Sequence, residues 1–199
     1  MRVAAIVLAA GEGRRLGGPK ALVPLADGTF ASVAASLFDR ADVAARVVVL
    51  GAQAERVAKA AGLPSGVSVV VNTRWAEGML TSVWAGLDAA EPLGVDAVLL
   101  HPVDNPLVAA ATVTAVLEAL SRGAVIAVPS HGGRRGHPAG FARAAWPALR
   151  AAALDRGARS VLAERPDWVV HVPAGADCLV DVDTPEALEA ARRAIDSRN

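Results

Sequence analysis

The sequence has few of the features that mark several broad classes of protein. Cys178 is the sole cysteine in 199 residues, so the chain cannot form an internal disulfide or a cysteine-based structural zinc site. We therefore expect a protein of the reducing cytoplasm, with Cys178 as a small buried apolar residue. Basic and acidic residues balance at 20 each, which argues against a broad basic face for nucleic acid.

Long hydrophobic runs are absent as well. No segment approaches the roughly 20 apolar residues that a membrane helix needs, so we expect no membrane partner. The apolar run at the start of the chain is short, and Glu12, Arg14 and Arg15 follow it at once. This pattern predicts a buried first strand rather than a signal peptide.

Short apolar runs do recur along the chain. Hydrophobic residues make up 53% of the sequence, enough for a sizeable core. Most of the runs lack polar alternation, which is typical of strands buried on both faces of a parallel sheet. The predicted strands are Val3 to Leu8, Val47 to Leu50, Val67 to Val71, Ala97 to Leu100, Ala124 to Val128 and Trp168 to Val172.

Helical stretches fall between these runs. Thr184 and Pro185 suit the N-cap and the first position of the last helix. The alternation predicts one α/β domain over residues 1–199, a three-layer α/β/α, Rossmann-like fold with a doubly wound, mostly parallel sheet. The predicted helices are Phe30 to Arg40, Ala54 to Ala61, Leu80 to Ala90, Thr112 to Arg122, Ala144 to Ala153 and Pro185 to Ser197.

Polar and glycine-rich segments come directly after four of the apolar runs. Ligands of such sheets bind beyond the carboxyl ends of the strands, so these segments are expected to converge on one site. The last of them is predicted to be a loop that reaches a ligand. The segments are Gly11 to Lys20, Asn72 to Met79, His101 to Pro106 and Pro129 to Pro138.

The segment Leu8 to Lys20 predicts a site for phosphate. Its glycines let backbone N–H groups approach an anion, and Arg15 and Lys20 add positive charge. A P-loop is excluded because Lys20 follows a proline and precedes an alanine. A dinucleotide fingerprint is disfavoured because Leu16 stands where the third glycine belongs, which argues against a nicotinamide-dependent enzyme. The alternative, a glycine-rich surface turn, needs neither this length nor these cations.

The stretch from Asn72 to Leu87 carries a second set of candidates. Gly78 lets the backbone approach a base or an acceptor, and the helix after it offers N–H groups and Ser82. Core packing is favoured for Trp84, whereas for Trp75 packing and ligand contact stay equally open. Gly86 is expected to make a close helix-packing contact.

Asp104 follows the fourth apolar run. A carboxylate just past a buried strand is well placed to hold a hard cation such as Mg²⁺, and capping of a turn is the weaker alternative. His137 lies in the loop after the fifth run, where a lone histidine is usually just exposed.

These segments together resemble one family. The pattern Leu-Ala-Ala-Gly-x-Gly-x-Arg-x-Gly closing on Pro-Lys, here residues 8–20, is similar to the signature of the MobA-like nucleotidyltransferases. Three further segments resemble the molybdenum cofactor cytidylyltransferase branch of that family. They are Asn-x-x-Trp-x-x-Gly-Met from residue 72, Gly-His-Pro from residue 136, and Asp-Val-Asp-Thr-Pro-Glu from residue 181.

The resemblance implies a fold of the nucleotide-diphospho-sugar transferase type and a role for each motif. Arg15 and Lys20 would be catalytic, with Lys20 at the reacting α-phosphate, and Asp104 and Asp183 would hold Mg²⁺. Asp183 is preferred to Asp181, although support of the following helix N-terminus is a substantial alternative. Acceptor binding would fall to Arg135, Gly136 and His137. Nucleotide binding would fall to Leu8, Ala9, Ala10, Gly11, Gly13, Arg15, Lys20, Asn72, Gly78, Met79 and Ser82.

The implied function is Mg²⁺-dependent transfer of a nucleoside monophosphate to a phosphorylated acceptor, with release of pyrophosphate. The resemblance favours CTP, because Ala10 adds a methyl group where a larger purine would have to fit. It favours the molybdenum cofactor as acceptor and a molybdoenzyme as a transient partner. The alternatives are a sugar-phosphate or other metabolite nucleotidyltransferase and, in another class, a non-catalytic nucleotide- or cofactor-binding chaperone.

Overall fold

A mostly parallel sheet forms the centre of the protein. The computed structural model describes residues 1–197. The strands are β1 (Val3–Ala9), β2 (Pro24–Leu25), β3 (Gly28–Thr29), β4 (Ala45–Leu50), β5 (Val67–Val71), β6 (Ala97–Pro102), β7 (Ile126–His131), β8 (Arg134–Arg135), β9 (Ala139–Ala142) and β10 (Val169–Pro173). The helices are α1 (Phe30–Leu37), α2 (Ala54–Ala60), α3 (Met79–Ala90), α4 (Ala110–Ser121), α5 (Trp146–Ala151), α6 (Arg159–Glu164) and α7 (Pro185–Asp196).

The strand order of the main sheet is β10-β7-β9-β6-β1-β4-β5, and β8 pairs with β7. The neighbouring pairs are parallel except for those of β9, which runs antiparallel to both β6 and β7, and for the β7–β8 pair. The chain leaves β1 towards β4 on one side and reaches β6 on the other. The reversal between β1 and β6 is the switch point at which such sheets bind ligands, and the predicted doubly wound sheet is confirmed.

Helices cover both faces of the sheet, and every residue of β1 is therefore buried. Alternate side chains of β1 enter two separate cores, with Val7 on the side of α1 and α4 and Ile6 on the side of α3 and α5. Each fully buried side chain of this size contributes about 1.5–3 kcal/mol relative to an exposed one. Strands buried on both faces need layers on both faces, so the three layers follow from the uninterrupted apolar runs.

Two local predictions about helices are confirmed. The Thr184 hydroxyl accepts a hydrogen bond of 3.2 Å from the N–H of Ala187, and Pro185 opens α7. A Cβ atom on Gly86 would lie 2.5 Å from Cγ2 of Ile6, so only glycine lets α3 pack this closely on β1.

The prediction of a loop from Pro129 to Pro138 is wrong. Strand β7 continues to His131 and β8 returns beside it, so the segment is a β-hairpin. Its tip is formed by Gly132 and Gly133, whose φ values of 56° and 76° are accessible to glycine at little cost. A run of arginine and glycine residues has no hydrophobic alternation that would predict a strand. Pairing with β7 holds these residues in an extended conformation.

Besides the two-residue strands β2, β3 and β8, two elements have no counterpart in the predicted strands and helices. Strand β9 has four residues and α6 has six. Both are too short for hydrophobic periodicity to separate them from a loop. No helix within residues 1–197 is long and apolar enough to cross a membrane.

Candidate active site

The loop after β1 folds back on itself. Gly13 and Gly17 adopt φ values of 65° and 77°, and between them lies a single 3-10 turn, Arg14–Leu16. The N–H of Leu16 donates to the Gly13 carbonyl oxygen at 3.0 Å. A Cβ atom on Gly13 would overlap the carbonyl oxygen of Gly18 and lie 2.7 Å from the amide nitrogen of Lys20. Glycine is therefore required at position 13, and the turn brings Lys20 back to the carboxyl edge of the sheet.

Lys20 joins two carboxylates at this edge. Its Nζ donates to Oδ2 of Asp104 at 2.6 Å and also to Oδ1 of Asp183. The Lys20 and Asp104 side chains are only 21% and 20% exposed, so solvent screens their ion pair incompletely. The three residues come from the loop after β1, the turn after β6 and the segment before α7. The predicted convergence of the first two segments is observed, and the segment before α7, which was not among the four predicted to converge, joins them.

The charges at this centre stabilise each other. Burial alone would lower the pKa of Lys20, but hydrogen bonds from its ammonium to Asp104 and Asp183 outweigh burial, so the pKa is raised. The hydrogen bond from Lys20 lowers the pKa of Asp183, and the charge of Arg15 acts in the same direction. Arg15 lies farther out, with Nη1 3.6 Å from Oδ2 of Asp183 and 75% of its side chain exposed. Arg15 is therefore free to turn towards an incoming anion.

The two aspartates before α7 point to different partners. Asp183 contacts Lys20, whereas Oδ1 of Asp181 accepts a hydrogen bond of 2.6 Å from Nδ2 of Asn105. The N–H of Val182, between them, donates to the Asp104 carbonyl oxygen at 2.8 Å and ties this segment to the turn after β6. Asp183 therefore lies at the charged centre, and Asp181 secures the turn beside it.

A divalent cation fits the donor set of Asp104 and Asp183. Mg²⁺ is commonly held by one or two carboxylates together with substrate phosphates and water. Within residues 1–197 no group of three or more His, Cys, Asp or Glu side chains could hold a metal ion. The pair of carboxylates therefore suits a cation that shares its ligands with a phosphate substrate.

The predicted residues of the second segment divide into two groups. Asn72 and Ser82 are buried, and Nδ2 of Asn72 donates to Oγ of Ser82 at 2.9 Å. Oδ1 of Asn72 accepts from the N–H of Arg74 at 2.9 Å, so Asn72 holds the turn before α3. Met79, in contrast, is 61% exposed, and Gly78 before it has a φ of 122°. Gly78 and Met79 are thus the part of this segment that is open to a ligand.

The two tryptophans of this segment lie in different surroundings. The indole N–H of Trp84 donates to the Leu149 carbonyl oxygen at 2.8 Å, which confirms the predicted packing role. Trp75 lies at the carboxyl edge of the sheet. A Cβ atom on Gly51 would be 2.5 Å from Cβ of Trp75 and 2.7 Å from the Ala10 carbonyl oxygen. Trp75 therefore packs beside the start of the glycine-rich loop.

A cavity of about 240 Å³ adjoins the charged centre, and we call it the apolar cavity. It brings Leu8 and Met79, from the predicted nucleotide residues, together with all three predicted acceptor residues. The rest of the wall consists of side chains that belong to no motif of the sequence. Several of them lie on β9 and α6, two elements that the sequence pattern does not predict. The lining residues are Leu8, Met79, Val83, Leu100, Pro102, Val128, Arg135, Gly136, His137, Ala139, Phe141, Ala158, Arg159 and Leu162.

Backbone contacts fix the polar corner of the apolar cavity. The N–H of His137 donates to the Cys178 carbonyl oxygen at 3.0 Å, and a Cβ atom on Gly136 would overlap the same oxygen. Cys178 itself is fully buried, as predicted. Burial lowers the pKa of His137 even though Asp181 and Asp104 lie near enough to raise it. The imidazole is therefore neutral near pH 7 and can donate or accept a hydrogen bond.

A second buried histidine was not singled out in the sequence. His101 on β6 is fully buried and packs edge-on against Phe38, with ring centroids 5.4 Å apart. Burial lowers its pKa to about 3, and the nearby His137 acts in the same direction. His101 belongs to the core behind the charged centre.

The comparison with known families decides the relationship. Residues 5–169 match the MobA-like NTP transferase domain. The chain belongs to this family. The family is one of nucleotidyltransferases, and the resemblance predicted from the motifs is confirmed.

Curated relatives in or near this family carry different names. Nicotine blue oxidoreductase of Paenarthrobacter nicotinovorans is 35% identical over 196 residues, which cover 94% of each chain. The 2-C-methyl-D-erythritol 4-phosphate cytidylyltransferase of Streptomyces avermitilis is 40% identical over 137 residues, covering 65% of this chain and 54% of that protein. The molybdenum cofactor guanylyltransferase of Rhodobacter capsulatus is 35% identical over 113 residues, which cover 53% of each.

Solved structures extend the similarity over almost the whole chain. Rv0371c of Mycobacterium tuberculosis superposes with a TM-score of 0.82 and 26% identity, covering 97% of this chain and 99% of that one. A nucleotidyl transferase of Methanothermobacter gives a TM-score of 0.80 and 25% identity, covering 99% of both chains.

Proposed function

We propose that the protein is a Mg²⁺-dependent nucleotidyltransferase that transfers CMP from CTP to a phosphorylated acceptor. The observation that carries the proposal is the position of Lys20, which lies between Asp104 and Asp183 at the end of the glycine-rich loop. A simple nucleotide-binding site has no need of an ammonium group joined to two carboxylates. The membership of a nucleotidyltransferase family supports the same reaction.

In the proposed reaction an oxygen of the acceptor phosphate attacks the α-phosphorus of the nucleotide. A new P–O bond forms, the bond to the β-phosphate bridging oxygen breaks, and its electron pair leaves with pyrophosphate. Lys20 and Arg15 offset the negative charge that builds on the phosphates. Mg²⁺ bound by Asp104 and Asp183 would add charge neutralisation. The loop residues Leu8 to Lys20 hold the triphosphate in place, so positioning and charge account for catalysis.

CTP is the proposed nucleotide because the motif of the glycine-rich loop resembles that of the cytidylyltransferase branch, with the methyl group of Ala10 where a larger purine would have to fit. The cytidylyltransferase from Streptomyces among the relatives agrees with this choice. The molybdenum cofactor is the first acceptor to test, and a sugar phosphate is the second. The single cysteine agrees with a cytoplasmic site of action, where a molybdoenzyme would receive the product.

The decisive experiment measures pyrophosphate release with each of CTP, GTP, ATP and UTP, in the presence and absence of each acceptor. Release that requires both CTP and the molybdenum cofactor supports the proposal in full. Release with GTP instead of CTP overturns the base assignment. Nucleotide binding without release under any condition indicates the alternative class, a non-catalytic nucleotide- or cofactor-binding chaperone.

One observation favours a second candidate function. The relative that matches 94% of the chain is named an oxidoreductase. Leu16 in place of the third fingerprint glycine argues against a dinucleotide site in the loop. The test is oxidation of NADH or NADPH, followed at 340 nm, with nicotine blue as acceptor. Turnover in this assay together with no pyrophosphate release would replace the proposed reaction.

A further inference from the structure

The apolar cavity has walls of an unusual composition for a site beside so many charges. Its lining includes side chains from β1, α3, β6, β7, β9 and α6, and nearly all of them are hydrocarbon. Among residues 1–197, no carboxylate or amide side chain lines it. Leu8 opens the glycine-rich loop and Pro102 lies two residues before Asp104, so the cavity lies beside the two segments that carry Lys20 and Asp104.

Three nitrogen-containing side chains interrupt the apolar wall. In the described part of the chain, two of them are guanidinium groups without an ion-pair partner, and the third has a buried ring nitrogen without a hydrogen-bond partner. Arg135 and Arg159 are exposed and form no ion pair within residues 1–197. Arg156, three residues before Arg159, shows the usual alternative, since its Nη1 lies 2.8 Å from Oε1 of Glu164. Nδ1 of His137 is buried and has no hydrogen-bond partner in the same part of the chain.

Resting on the proposed function, we propose that the apolar cavity binds the body of the acceptor as a flat ring, while Arg135 and Arg159 hold its anionic group. The faces of a flat ring can lie on the hydrocarbon walls without losing hydrogen bonds, because any polar atoms of the ring lie at its edge. A polyhydroxylated sugar would leave hydroxyl groups unpaired there. Within residues 1–197, His137 offers one free nitrogen, and no other side chain of the wall accepts a hydrogen bond from a hydroxyl group. Two guanidinium groups without counter-ions suit a phosphate, which guanidinium binds in a bidentate manner.

This proposal assigns a role to Arg159. The residue lies on α6, outside every motif of the sequence, and lines the cavity because α6 packs against the α3 side of the sheet. Arg159 would act in acceptor recognition, whereas Lys20 acts on the nucleotide. The two cations therefore serve different substrates.

Direct binding tests the proposal without any turnover. The probe is 1-naphthyl phosphate, whose fluorescence reports binding, and the competitors are glucose 1-phosphate and 1-naphthol. We expect 1-naphthyl phosphate to bind at least about tenfold more tightly than glucose 1-phosphate, because both carry the same anion and only one has an apolar body. Equal or tighter binding of glucose 1-phosphate would overturn the proposal.

Matched arginine variants test the anion site. We expect R159A and R135A each to weaken binding of 1-naphthyl phosphate about fivefold to tenfold and to leave binding of 1-naphthol unchanged. The control is R134A, which removes an exposed neighbouring arginine that does not line the cavity. An R159A variant that binds the probe as well as R134A would overturn the role of Arg159. Pyrophosphate release is measured separately, so the loss of one result leaves the other standing.

Discussion

The charged centre and the apolar cavity lie side by side at the same edge of the sheet, yet they are built in opposite ways. Lys20, Asp104 and Asp183 come from three short segments, and each is anchored by backbone turns and ion pairs. The apolar cavity is a surface shared by seven elements of secondary structure. Polar chemistry therefore depends on a few particular residues, whereas the shape of the cavity depends on how the whole sheet is covered.

The largest expected effect is on the charged centre. K20A should lower kcat for pyrophosphate release by about 100-fold to 1000-fold, because the cation that stabilises the reacting phosphate is lost. The measurement is steady-state release at saturating substrates. K59A is the matched control, since Lys59 is an exposed lysine of α2 and should leave kcat unchanged. A K20A variant that is folded by circular dichroism and fully active contradicts the assignment.

The next effect separates two neighbouring carboxylates. D183N should lower kcat about 10-fold to 100-fold and raise the Mg²⁺ concentration needed for half-maximal rate, because Asp183 contacts Lys20 at the charged centre. D181N keeps the oxygen that accepts from Asn105, so its rate should stay close to that of the unchanged protein. Titration of Mg²⁺ for both variants is the measurement. The reverse ranking would transfer the metal role to Asp181.

Two glycine variants should disturb the glycine-rich loop of the charged centre and the apolar cavity separately. G13A forces a Cβ atom against the Gly18 carbonyl oxygen at a positive φ, so it should raise KM for the nucleotide about tenfold or more. G136A forces a Cβ atom against Cys178, so it should raise KM for the acceptor by a similar factor. Each variant should leave the other KM nearly unchanged. If either variant raised both constants equally, the two regions would not be independent.

The last effect is on the free energy of unfolding and is measured as its dependence on pH. It compares the core behind the charged centre with the exposed surface. His101 takes up a proton near pH 6.5 when unfolded but only near pH 3 when folded, so its contribution to the free energy of unfolding is present above pH 6.5 and lost as the pH falls towards 3. The slope is at most about 1.4 kcal/mol per pH unit. The lowered pKa of Asp183 acts in the same direction, but only below its unfolded value of 3.8.

Urea unfolding at pH 7, 6, 5 and 4 measures this dependence. H101L should reduce the slope between pH 6.5 and pH 4, because one group that must stay neutral in the core is gone, and the lowered pKa of His137 should account for part of the slope that remains. H131L, at an exposed position on β7, is the control and should keep the original slope. An unchanged slope in H101L would show that another group governs stability in this range.

The same contrast explains how much of the protein could be predicted from its sequence. The strands that carry the charged centre are uninterrupted apolar runs, so β1 and β6 and the loops after them were predictable. The contact of Lys20 with Asp104 follows from the convergence of those loops, whereas the contact with Asp183 depends on the segment before α7. Asn72 is predicted to bind the nucleotide, and the structure adds that its buried side chain bonds to Ser82, a contact that could not be predicted because a motif gives a residue's position but not the direction of its side chain.

The apolar cavity could not be predicted in this way. Phe141 and Arg159 belong to elements of four and six residues, which are stabilised by their packing and have little periodicity of their own. The cavity wall also includes Leu100 and Val128, ordinary core residues in any sequence pattern. Such residues become part of a site only through the tertiary structure.

The reversed direction of β9 has one more consequence. The loops after β1, β5 and β6 reach the site from the carboxyl ends of parallel strands. Strand β9 is antiparallel to β6, so it begins at that edge of the sheet, and site residues 136–138 precede β9 instead of following it. The hairpin before it ends in Gly132 and Gly133, around which a side chain would meet open space. Insertions at this tip can lengthen one wall of the site while every crossover connection keeps its length. Evolution can thus alter the reach of that wall without rebuilding the catalytic half of the fold.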